Sequence, residues 1–98
     1  MSKYDITEEI SHYVDAILHT FSFPNRVNDI WGQIEKVVRS EGGDTSKENL
    51  QRLTSSVKKF LSENEFGHDE DYIYIIDKKG KNLKECGSLS AFEKKFNS

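Results

Sequence analysis

Three histidines, one cysteine and a scatter of acids are the groups with which this chain could do chemistry. His12, Asp15 and His19 stand at i, i+3 and i+7 with Glu8 one turn earlier, so a helix through them places all four on one face. Imidazole and carboxylate together suit a divalent transition metal. That face, however, lies opposite an apolar stripe, where any amphipathic helix carries polar residues, and no second ligand cluster occurs elsewhere. The expectation is a solvated face without a metal. His68 precedes Asp69, Glu70 and Asp71, but the run lacks the ligand spacing of a calcium loop and reads as a solvated loop.

Nucleophiles fare no better. Cys86 would need a base beside it to act as a thiolate, and its sequence neighbourhood offers none. Ser55, Ser56, Ser88 and Ser90 lie in no strand-to-helix elbow, and the last two suit helix capping instead. No phosphate loop is present either. The chain is therefore expected not to be an enzyme and to carry no cofactor.

Composition bounds what can position such groups. A chain of 98 residues makes one domain, residues 1–98, burying roughly 60 to 65% of its unfolded surface. Hydrophobic residues at 35% supply a core, so the 32% charged content is a solvated surface and not disorder. Net charge is −3, and residues 1–35 hold two cations against six anions, a balance of −4, contrary to a dedicated nucleic-acid binder. A lone cysteine forms no intramolecular disulfide and the N-terminus has no signal-peptide run, so a cytoplasmic, reducing setting is expected. No apolar stretch approaches the roughly 20 residues that span a bilayer.

The hydrophobic period predicts three amphipathic helices, an antiparallel hairpin and a short C-terminal helix, an α+β fold. The first helix is predicted over Ile6 to Thr20, with Asp5 as N-cap and Pro24 either its breaker or the opening residue of the next helix. The second carries Val27, Ile30, Trp31, Ile34, Val37 and Val38 and stops at Gly42 and Gly43. Thr45 and Glu48 form a capping box for the third, which continues through Leu50, Leu53, Val57, Phe60 and Leu61. At Asp71 the period changes to two. Residues 71–86 read as a hairpin around the turn Asp77–Gly80, with Ile73, Ile75 and Leu83 facing the helices and Tyr72, Tyr74 and Ile76 facing away. Ser90 and Glu93 cap a last helix to Asn97.

Two functional expectations follow. A two-stranded hairpin leaves unpaired edges, so a partner strand or a second copy of the chain is expected there. Tyr72, Tyr74 and Ile76 would be its anchors, with Asp69, Glu70 and Asp71 as acidic neighbours. A small, acidic, cysteine-poor chain without chemistry suits stoichiometric inhibition of a basic enzyme such as a nuclease, in the manner of immunity proteins, by analogy of class alone. The alternative is a winged-helix DNA-binding regulator. Its element order matches, Lys78, Lys79, Lys81 and Lys84 would form the wing tip, and Arg52 and Lys59 would reach out from the third helix.

Overall fold

The computed structural model describes residues 8–23, 28–70 and 73–97. Its architecture is α+β: a three-helix layer, a two-stranded antiparallel hairpin and two short C-terminal helices. α1, Glu8–Ile17, turns its apolar stripe inward through Val14 and Ile17, and a 3₁₀ turn, Leu18–Thr20, carries Leu18 and then Phe21 into the same core. The predicted cap Asp5 and the proline expected to end α1 or open α2, Pro24, lie outside the described residues. α2, Ile30–Ser40, buries Ile30, Ile34 and Val38, and Asp29 caps it by accepting from the Gly32 N–H at 3.0 Å. Gly42 then takes a left-handed turn at φ 71°.

α3, Lys47–Glu63, buries Leu50, Leu53, Val57, Phe60 and Leu61. Its cap is Ser46, one residue later than predicted. Asp44 Oδ1 accepts from the Ser46 N–H at 2.9 Å, and that local turn places the Ser46 hydroxyl, not Thr45, where it accepts from the Asn49 N–H. Asn64 ends the helix and Glu65 reverses the chain at φ 64°. Phe66 donates back to the Leu61 carbonyl at 2.8 Å.

The hairpin exists, but not where the turn chemistry placed it. β1, Gly67–Glu70, pairs with β2, Ile73–Ile76, in the register His68↔Ile75 and Glu70↔Ile73. The predicted turn and second strand form instead a helix, α4, Lys78–Cys86. This segment holds lysine, leucine and glutamate and no β-branched residue, so it favours helix, and Gly80 and Leu83 fall on its buried side. Asp77 precedes a helix as well as it opens a turn, an ambiguity local sequence cannot resolve. β1 has little strand propensity and pairs because the apolar β2 needs a ladder partner. The facing of β2 is also the reverse of expectation. Tyr74 and Ile76 join the core at 1% exposure each, whereas Ile73, half-buried, and Ile75, buried, lie on the opposite face of the strand.

Gly87, left-handed at φ 89°, ends α4, and α5, Leu89–Asn97, returns Leu89 and Phe92 to the core. Its first turn is held by Ser88, whose hydroxyl accepts from the Ala91 N–H at 3.1 Å, rather than by the predicted Ser90.

Candidate functional site

The outer face of the hairpin gathers the most ionisable chemistry among the described residues. It starts from a glycine. A Cβ on Gly67 would lie 2.6 Å from both the Ile75 carbonyl oxygen and Tyr74 Cε2, so the absence of a side chain lets the Tyr74 ring lie across β1. Its hydroxyl then meets Ser62 Oγ at 2.9 Å on α3. Burial pushes the Tyr74 phenol up to about 12. With the inner face so filled, His68 and Glu70 project outward.

Strand periodicity assembles the cluster. His68 stands opposite Ile75, Asp77 is two residues beyond Ile75, and Glu70 is two residues beyond His68, so all three share one face of the pleat. The imidazole lies between the carboxylates, Nδ1 at 2.9 and 3.0 Å from the two Asp77 oxygens and Nε2 at 3.3 Å from Glu70 Oε2. Hydrogen bonding to Asp77 first, and to Glu70 second, raises the His68 pKa. Asp77 stands at the N-cap of α4 yet makes no side-chain capping bond. Asp69 points to the other face, with Lys58 Nζ at 3.8 Å. The Asp69 and Glu70 side chains are 71% and 65% exposed.

Edge exposure is smaller than a bare hairpin implies. Asp77 donates to the Phe66 carbonyl at 2.9 Å, which sets the ladder phase and turns the backbone groups of Tyr74 outward. There the buried Asn28 amide donates to the Tyr74 carbonyl at 3.1 Å while accepting from the Ser22 N–H at 2.8 Å. Asn28 thus ties Ser22 to β2 at that point. Tyr74 and Ile76 are core residues and not surface anchors. Tyr72 and Asp71 lie outside the described residues.

The lysines form a different surface from the predicted wing. Residues 78–97 hold six lysines against two glutamates, a balance of +4, while the whole chain is −3. On α4, Lys79 Nζ sits 5.0 Å over the Phe66 ring, Lys81 lies 3.9 Å from Glu85, and Lys84 donates to the Phe21 carbonyl at 2.7 Å. Phe21, Phe23, Ile76, Lys81, Lys84 and Glu85 line a cleft of about 280 Å³ beside them. Arg52 is held by Glu9, at 2.9 and 3.3 Å, and by Asn49, and its guanidinium keeps the Glu9 carboxyl below the usual range. Lys59 is exposed on α3.

The first-helix stripe is divided among separate tasks. His12 reaches Glu41 at 2.7 Å, Asp15 accepts from the Leu89 N–H at 2.9 Å, and His19 is exposed. Among the described residues no group of three or more His, Cys, Asp or Glu side chains is arranged to hold a metal ion, and the carboxylates around His68 converge on opposite sides of its ring and not on a common point. Cys86 is half-buried against the core. Among the described residues no helix is long and apolar enough to cross a membrane.

Sequence reasoning noticed the acids around His68 but missed Asp77, because the two are joined only through the β1–β2 register. A usable signal was the short polar run Gly67–Glu70 directly before an apolar strand. No family model matches this chain, and no curated protein or solved structure matches it either.

Proposed function

We propose that this chain is a stoichiometric protein-binding domain that docks a basic surface of its partner on the acidic outer side of the hairpin. The observation that carries the reading is the exposed Glu70 carboxylate beside the Asp77 carboxylate on the outer face, on a short sheet whose inner face is spent on the core. Burial of Tyr74 and Ile76 moves the contact from apolar anchors to charge, which gives orientation and fast encounter. Like charges also oppose parallel, in-register self-pairing through β1, which would set Asp69 and Glu70 against their own copies. A monomer that meets a basic partner is thus favoured over a homodimer. Within this class, an immunity-type protein that blocks a basic enzyme such as a nuclease toxin, acting in the cytoplasm without catalysis of its own, is the sharpest form of the proposal.

The test is affinity capture from the source cells with the wild-type chain and with Glu70→Lys, followed by reconstitution of the captured protein. A basic partner bound one to one by the wild type and at least tenfold more weakly by the charge-reversed chain supports the reading. Equal binding by both, or a partner of acidic surface, refutes it.

The concentration of lysine in α4 and α5 favours one second reading, contact with nucleic acid through Lys78, Lys79, Lys81 and Lys84. It has lost its wing, since those residues are helical, and Arg52 is tied to Glu9. Fluorescence anisotropy with duplex DNA at physiological salt decides it: nanomolar binding lost on Lys78→Glu/Lys81→Glu would establish this reading in place of the first.

A further inference from the structure

We propose that His68, Glu70 and Asp77 form a proton-operated charge switch on the outer face of the hairpin, closed when the imidazole carries two ring protons and open, with Glu70 released, when it carries one. Each ring nitrogen faces a carboxylate oxygen, Nδ1 that of Asp77 at 2.9 Å and Nε2 that of Glu70 at 3.3 Å. An ionised carboxylate only accepts, so both contacts are hydrogen bonds only if both nitrogens carry hydrogen. The arrangement is therefore that of the imidazolium.

When one proton passes to solvent, a single N–H remains. Nδ1 keeps it, because Asp77 presents both oxygens at 2.9 and 3.0 Å and Glu70 presents one at 3.3 Å. The Nε2 lone pair then confronts the Glu70 oxygen, and that side chain, 65% exposed, turns out into water. The charge of the three groups changes from −1 to −2 with no change in fold. Asp77 and Glu70 both hold the His68 pKa above its ordinary 6.5, so the switch works on the approach to neutrality.

Among the described residues no other charged group acts on this ring. From β2 the neighbours on this face are Ile73 and Ile75. From α3, Lys58 goes to Asp69 on the opposite face. From α4, Lys79 lies over Phe66 and Lys81 beside Glu85. The consequence for a basic partner, tighter binding once Glu70 is free, rests on the docking reading above; the switch itself does not.

The experiment is an NMR titration of the full chain from about pH 5 to pH 9, following the His68 ring and the Glu70 side-chain carboxyl carbon. The expected result is a His68 midpoint above 6.5, lowered by Asp77→Asn and less by Glu70→Gln, with the Glu70 carbon following the His68 titration and losing that response in His68→Gln. A His68 midpoint at or below its ordinary value, indifference to both carboxamide variants, or a Glu70 carbon that does not follow His68 overturns the proposal. Should Asp77→Asn fail to fold, the Glu70→Gln and wild-type Glu70 readouts still decide. A second arm measures a hexa-arginine peptide at low salt. Binding that tightens through the same pH range in the wild type and not in His68→Gln supports the link to docking, whereas an intact His68 titration with no peptide binding at any pH overturns the docking reading and leaves the switch standing.

Discussion

Replacing Gly80 by alanine tests the placement of α4 directly, because helix propensity and packing predict opposite signs. In an open helix the change stabilises by about 1 kcal/mol. Here a Cβ at position 80 would overlap the Phe66 carbonyl oxygen and lie 2.6 Å from Ile76 Cγ2. The obstructing oxygen is backbone, and it accepts the Asp77 N–H at 2.9 Å, so it moves only by straining the bond that joins the hairpin to α4. Overpacking of this type costs about 1 to 3 kcal/mol, and loosening the bond adds about 1 kcal/mol. Less the propensity gain, the net loss is about 1 to 3 kcal/mol, or a fall in Tm on the order of 10 °C for a chain of this size. Urea unfolding followed by circular dichroism measures it, with Glu85→Ala on the exposed side of α4 as a control that shifts stability by less than about 0.5 kcal/mol. A Gly80→Ala protein as stable as the wild type, or more so, would refute the close passage of α4 across Phe66.

Four further outcomes follow from buried or titrating groups. Thr54 Oγ1 is buried with no hydrogen-bond partner among the described residues, so Thr54→Val is expected to be neutral or to stabilise by up to about 1 kcal/mol in the same unfolding assay. Asn28→Ala deletes the amide that joins Ser22 to the Tyr74 carbonyl and leaves that carbonyl short of a donor, at a cost of about 2 kcal/mol. Because burial holds the Tyr74 phenol neutral up to about 12, its contribution is full below pH 10 and lost as pH rises through that value; ultraviolet titration is expected to show a late-ionising tyrosine that Tyr74→Phe abolishes. His68 has a raised pKa, so its stabilising contribution is full below pH 6.5, the ordinary value, and lost as pH rises through the folded one; His68→Gln is expected to flatten the melting temperature across that window, by a small amount since the group is exposed.

Periodicity within one element made much of this fold legible. The stripes of Val14 and Ile17, of Ile30, Ile34 and Val38, and of Leu50, Leu53 and Val57 each repeat at helical spacing, and an α-helix turns such a stripe into a buried face whatever surrounds it. The apolar run Ile73–Ile76 likewise announced a strand, and Leu89 and Phe92 a closing helix. What each element packs against is a question of long-range contact, and there local chemistry was silent or ambiguous. Asp77-Lys-Lys-Gly opens either a turn or a helix, and the outcome was decided by Gly80 passing the Phe66 carbonyl and by Leu83 reaching the core. Once β1 rather than residues 81–86 paired with β2, Tyr74 and Ile76 turned inward, and Asp77 came beside His68. The alternation of a strand fixes which residues share a face, but the partner and the register fix which face is buried. The sequence by itself determined α1, α2, α3 and α5, the existence of a hairpin and the charge of its surroundings; the tertiary structure decided that residues 78–86 are helical, the strand that completes the hairpin and hence the carboxylates that meet His68, because pairing energy depends on residues brought together only by folding.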